Sequence, residues 1–167
     1  MTSAPIDRAS ALRAGIILVP LLQLVGGGLA RYSGAIGQNP WFQALTLPTW
    51  QPPGAVFGIA WTILYVLIAV AAALIWGHWR AAGRTAALAL WALQMVLNWG
   101  WSPLFFSAHQ VLASTILIAV ILIVSIATTL AFARISRVAP WLMLPYLVWL
   151  SFALVLNFSL WQLNPGV

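Results

Sequence analysis

The chain has 167 residues, 63% of them apolar and 5% charged, and a formal net charge of +6. Soluble chains carry about a quarter charged residues, so this composition is that of an all-α integral membrane protein. The positive balance consists of arginines at the ends of apolar runs, which argues against a nucleic-acid partner and for membrane topology. With no cysteine, disulfides, thiolate nucleophiles and cysteine-held zinc are excluded.

Five apolar segments reach the roughly 20 residues that a ~30 Å hydrocarbon layer requires. The first covers about 12–33, with Pro20 as a kink and Gly26, Gly27 and Gly28 as a thin, close-packing stretch. Its run is longer than a signal-peptide core, and no small-residue cleavage site follows it, so it reads as a retained span. The connection 34–53 cannot itself span, because Pro48, Pro52 and Pro53 lack amide donors and restrict the residues before them. It is also too apolar for water, with Trp41, Phe42, Leu45, Leu47 and Trp50. Asn39 followed by Pro40 predicts a capped short helix over about 40–46. The connection then descends into a second span over 54–78, opened by Pro53 and Gly54. The third span covers 84–106, the fourth, almost purely aliphatic, 110–133, and the fifth 139–163. The links 79–83, 107–109 and 134–138 are short, so sequential helices are antiparallel neighbours. The prediction is one domain over 1–167, a five-transmembrane-helix bundle without internal repeats.

Arg8, Arg13, Arg80, Arg84, Arg134 and Arg137 fall on one side of this bundle, and Arg31 alone on the other. The positive-inside rule puts the N-terminus in the cytoplasm, with the C-terminus and the 34–53 connection outside.

Depth follows from the ~1.5 Å rise of a helix. Trp61 lies roughly 10 Å below the outer mouth, and Phe57, Trp61 and Leu64/Tyr65 share one side of the second span. On the third span Trp91, Gln94, Asn98 and Trp101/Ser102 recur on one face; on the fifth, Tyr146, Trp149, Ala153 and Asn157 do. Most of these faces meet in the outer half of the bundle, beneath 41–53. Singly, such Asn and Gln residues serve as hydrogen-bonding glue between helices. Jointly, several indoles with a few directed polar groups suggest an aromatic-walled cavity. Away from the span ends there is no ionisable Asp, Glu, Lys, Arg or His, which disfavours ion-coupled transport. His78 and His109 lie at helix ends and read as interfacial. Hydrolytic triads lack an acid, no metal site is expected, and a tightly held haem would have only Tyr or Met as weak axial ligands.

Three blocks then resemble the translocator protein (TspO/MBR) family, also called tryptophan-rich sensory proteins or peripheral-type benzodiazepine receptors. The first is Trp41, Leu45, Pro48, Trp50, Pro52, Pro53, Phe57, Trp61, Thr62, Leu64 and Tyr65. The second is Gln94, Asn98, Trp101, Ser102, Phe105 and Phe106. The third is Pro145, Tyr146, Trp149, Ala153, Leu156, Asn157, Trp161 and Asn164. The resemblance implies a five-helix membrane bundle, commonly dimeric, that binds porphyrins, in a bacterial inner membrane for this chain. It implies a first loop that lids the pocket, and tryptophans at Trp61 and Trp149 that face the ligand. Haem, sterols and synthetic isoquinoline-carboxamide and benzodiazepine ligands are also linked to the family. Some bacterial members resemble light-driven porphyrin-degrading enzymes that use those two tryptophans, which would make Trp61 and Trp149 catalytic.

There are departures. Leu47 stands where many relatives carry a lysine, and Phe42 where a pocket-facing tyrosine is frequent. Phe158 and Gln162 replace the tyrosine and basic residue of the animal sterol motif, itself a weak pattern.

The functional expectation is therefore a tetrapyrrole-binding sensory protein with no obligatory cofactor and protoporphyrin or haem as ligand. Its site comprises Trp41, Phe42, Trp50, Pro52, Phe57, Trp61, Gln94, Asn98, Trp101, Ser102, Tyr146, Trp149, Ala153 and Asn157. A macrocycle is expected to stack between Trp61 and Trp149. The alternatives are photo-oxidative porphyrin breakdown, and a porphyrin or lipid carrier, which the lack of intramembrane charge and repeat symmetry weakens. A homodimer is expected on family grounds; Gly54 with Gly58, and Gly83, Ala86 and Ala89, permit close helix approach.

Overall fold

The computed structural model describes residues 6–36 and 39–166. Positions 37 and 38 of the expected lid lie outside the described residues. The described chain folds into six helices: α1 (Arg8–Tyr32), α2 (Pro40–Gln43), α3 (Gly54–Gly77), α4 (Arg84–Phe106), α5 (Val111–Ala133) and α6 (Ala139–Leu163). α1 begins a turn before the expected 12, because the Asp7 carboxylate accepts from the Ser10 amide and caps the first turn. α2 is shorter than the expected 40–46. Asn39 caps it as expected, accepting from the Phe42 amide, but the chain unwinds at Ala44 ahead of Pro48.

The five long helices close into a ring. α1 lies against α3, α3 against α6, α6 against α5, α5 against α4, and α4 returns to α1. Four of them, α1, α3, α5 and α6, are long and apolar enough to cross a membrane. The expected count of five spans is not matched by that measure. α4 is the exception because Gln94, Asn98 and three tryptophans replace aliphatic residues along its 23-residue length.

Packing between α1 and α3 uses small residues, as expected where lipid supplies no hydrophobic drive and close approach must supply dispersion contacts. A Cβ on Gly77 would lie 2.8 Å from Ala11 Cβ and 2.9 Å from the Asp7 carbonyl. A Cβ on Gly26 would fall 2.6 Å from the Tyr65 hydroxyl oxygen, so the Tyr65 ring sits directly on the α1 backbone.

Polar ties hold the rest. The Gln23 amide nitrogen donates to the Thr62 carbonyl at 2.7 Å, and the Ser33 and Ser102 hydroxyls meet at 2.9 Å. α5 is less purely aliphatic than its sequence suggests. Ser114, Thr115, Ser125, Thr128 and Thr129 are all buried, and each bonds to the preceding turn or to a neighbouring helix.

The arginine-bearing end carries the exposed Trp76, Trp79 and Trp141. Arg84 lies 4.5 Å over the Trp76 ring and Arg80 4.2 Å over Trp79. These are interfacial anchors, snorkelling cations above amphipathic rings.

Candidate functional site

The polar centre is Asn98, buried on α4. Its side-chain oxygen accepts from the Tyr65 hydroxyl at 3.1 Å, and its amide nitrogen donates to the Tyr146 hydroxyl oxygen at 3.1 Å. One side chain therefore ties α3, α4 and α6 together. Those two bonds use one N–H and one lone pair, leaving one of each on the amide. One turn earlier, Gln94 is fully buried; its oxygen accepts from the Ser125 hydroxyl at 3.2 Å, and its amide nitrogen has no acceptor among the described residues. The buried Trp91 and Trp101 indole N–H groups are likewise without one. α4 thus brings several directed donors into the bundle, which in an apolar interior are costly to leave unmade.

Aromatic rings rise from this centre toward the loop. Trp61 contacts Tyr65 at 5.2 Å, Tyr146 at 6.3 Å and Trp149 at 6.5 Å between ring centroids. Phe57 meets Trp149 edge-on at 5.6 Å, Trp149 meets Phe152 at 5.4 Å, and Trp50 of the loop meets Phe152 at 5.9 Å. The Trp61 and Trp149 planes are 82° apart. They form a corner, not the parallel slot expected from the sequence. An apolar groove of about 410 Å³ opens beside Trp149, lined also by Ala60, Ile63, Pro145 and Phe152.

A second aromatic group sits under α2. Trp41 and Phe42 meet Phe105 at 5.4 and 6.1 Å, Phe42 meets Phe106 at 5.4 Å, and Trp101 stacks on Phe105 at 5.1 Å. Trp41 also stacks on His109 at 4.2 Å, so His109 packs against a ring where the sequence suggested only an interfacial position. The far side of the loop is clasped by Asn164: its oxygen accepts from the Thr46 amide at 2.8 Å, and its nitrogen donates to the Thr46 and Leu160 carbonyls at 3.0 and 2.8 Å. An asparagine side chain here imitates a strand's edge and fastens the connection to the end of α6.

The residues singled out from sequence therefore separate in space, with Gln94 held against α5 by Ser125. Phe57, Trp61, Asn98, Tyr146 and Trp149 converge, with Trp50 above them. Trp41, Phe42 and Trp101 belong to the loop-side aromatic group, and Ser102 is held by Ser33. Asn157 stands apart: its amide donates to the Val111 carbonyl and the Thr115 hydroxyl at 3.2 and 2.7 Å, tying α6 to α5. Ala153 and Pro52 are half-buried. Sequence reasoning missed Tyr65 as the hydroxyl partner of Asn98, although it lies one turn beyond Trp61. It also missed Ser125, one of several hydroxyls along α5 and the one that meets the Gln94 side chain.

A sequence model of the TspO/MBR family matches residues 16–162. "Tryptophan-rich protein TspO" of Chlorobaculum tepidum is 40% identical over 126 residues, covering 75% of this chain and 80% of that protein. The "Translocator protein" of Sus scrofa is 34% identical over 155 residues, covering 91% and 89%. The "Tryptophan-rich sensory protein" of Cereibacter sphaeroides is 33% identical over 138 residues, covering 83% and 85%. With its loop-capped ring of helices, its tryptophan corner and these matches, the chain belongs to the TspO/MBR family.

Proposed function

We propose that this chain is a membrane-embedded sensory or regulatory protein that binds a tetrapyrrole beneath the 39–53 connection. The observation that carries this reading is the convergence of an indole corner, Trp61 and Trp149, with the Asn98 amide held between two phenols. Rigid aromatic faces suit a flat macrocycle. The spare N–H of Asn98 and the buried Gln94 and Trp101 donors suit its carboxylates or nitrogens. The name of one relative, tryptophan-rich sensory protein, agrees with a sensing role.

In this reading α4 is a fifth span. Its polar residues, Gln94 and Asn98, are buried among other helices, while Leu93 and Val96 face outward. Lipid meets an apolar stripe even though the average hydropathy is low. The arginine-rich end is cytoplasmic, the 39–53 connection lies outside, and the protein acts as a homodimer.

A second reading, light-dependent breakdown of the porphyrin, draws on the unbroken run of rings from Trp149 through Trp61 to Tyr65. Illumination with protoporphyrin separates the two: sustained absorbance loss that a Trp61→Phe variant lacks makes it an enzyme.

The binding reading is tested with protoporphyrin and its uncharged dimethyl ester, titrated against wild type and Asn98→Leu by quenching of tryptophan fluorescence. Hydrogen bonds to charged groups contribute about 1.5–3 kcal/mol, so the variant weakens the diacid roughly tenfold or more and the ester less. Equal weakening of both ligands removes Asn98 from carboxylate recognition.

A further inference from the structure

A groove of about 600 Å³ runs along the lipid-facing side of the α1–α3 pair, away from the loop-capped site. Its floor is made by the small residues that bring the helices together, Ala11 and Gly15 with Ala73. Its walls are taller: Leu12 and Ile16 are 66% and 65% exposed, with Val19 and Val70 beyond. Arg8 closes one end and Pro20 the other. Twelve residues separate them on α1, about 18 Å at the helical rise. That is close to the depth of one leaflet, half of a ~30 Å hydrocarbon layer.

The charged end is unbalanced. Asp7 is the only acid in the chain, and its carboxylate accepts from the Ser10 amide. Arg80 and Arg84 lie over tryptophan rings, whereas Arg8 is exposed and has no ring or carboxylate partner among the described residues. We infer that this groove is a binding site for one anionic phospholipid, with an acyl chain along Gly15 and Val70 and the phosphate against the Arg8 guanidinium. Charge complementarity selects an anionic headgroup, and the depth of the groove selects a chain that enters from the arginine-bearing leaflet.

The test is native mass spectrometry of the full chain from mixed vesicles of phosphatidylglycerol and phosphatidylcholine with identical acyl chains. A basic residue at the surface favours an anionic lipid by a factor of about five, so wild type retains phosphatidylglycerol over phosphatidylcholine by roughly that ratio. Arg8→Gln removes the preference. Val70→Phe fills the groove and lowers retention of both lipids, and Val19→Phe does the same from the facing helix if Val70→Phe fails to fold. Arg13→Gln removes an equal charge from α1 outside the groove and leaves the preference intact. The inference is overturned if Arg13→Gln erases the preference as fully as Arg8→Gln, or if a folded groove-filling variant keeps its lipid. A groove-filling variant that turns a dimer into a monomer without changing lipid retention also overturns it, and assigns the groove to a second copy of the chain.

Discussion

Gly26→Ala is a one-carbon change with a worked consequence. In most helices Gly→Ala stabilises, by up to about 1 kcal/mol, through backbone entropy. At position 26 the new Cβ would stand 2.6 Å from the Tyr65 hydroxyl oxygen and 2.7 Å from Cζ, with Cε2 nearer still. Tyr65 is 8% exposed, so its ring has little space to retreat into. Overpacking of this kind costs about 1–3 kcal/mol. Any retreat also pulls the hydroxyl from Asn98, and interhelical hydrogen bonds in membranes contribute about 0.6–2 kcal/mol. The net expectation is a loss of roughly 1–3 kcal/mol after the entropic gain. A Cβ added at Gly27 or Gly28 would meet nothing within 4 Å, so Ala at either is neutral or stabilising. Unfolding in a detergent titration measures all three, and repeating Gly26→Ala in a Tyr65→Leu background isolates the contact. In that background the cost falls below about 0.5 kcal/mol, the scatter of independent sites. A Gly26→Ala variant as stable as Gly27→Ala would refute the packing of Tyr65 on α1, and with it the geometry of the Asn98 centre.

Two further outcomes follow from other parts of the structure. Asn164→Ala deletes three hydrogen bonds to Thr46 and Leu160, so amide exchange across residues 44–50 accelerates several-fold while α5 exchange is unchanged; unaltered exchange means the clasp does not hold the loop. Reporter fusions after Arg84 and at Val167 report opposite compartments, as an odd number of spans with a cytoplasmic N-terminus requires; equal compartments remove α4 from the spans.

Element boundaries were legible because punctuation and apolar runs agree. Pro53–Gly54, Gly83–Arg84 and Val138–Pro140 open helices where the sequence breaks, and α4 and α6 fall on their expected residues. The cap at Asp7 escapes an apolar-run reading because the run starts several residues later. Helical spacing brought Trp61, Asn98, Tyr146 and Trp149 to one place, since a period of 3.6 fixes which side chains share a face. Spacing could not give ring orientation, so the 82° corner between Trp61 and Trp149 replaced an expected slot. Nor could it say which amides are already satisfied: Asn98 and Asn157 look alike in sequence, yet Asn157 is spent on the α5 backbone and Thr115. The glycine triplet shows the same limit, since only the register against α3 singles out Gly26.

The central claim, that a tetrapyrrole sits against the inner tryptophan corner, is tested most directly by comparing Trp61→Ala with Trp76→Ala in a protoporphyrin titration followed by fluorescence quenching. Trp61 is half-buried among Tyr65, Tyr146 and Trp149, whereas Trp76 is 48% exposed at the arginine-bearing end. A stacked indole contributes about 0.5–1.5 kcal/mol beyond area burial, and the cavity left behind adds to the loss. Trp61→Ala therefore weakens binding roughly tenfold or more, while Trp76→Ala leaves it within about twofold, given that both variants melt as cooperatively as wild type. Equal weakening by the two variants would contradict the assignment and move the ligand away from the loop-capped corner.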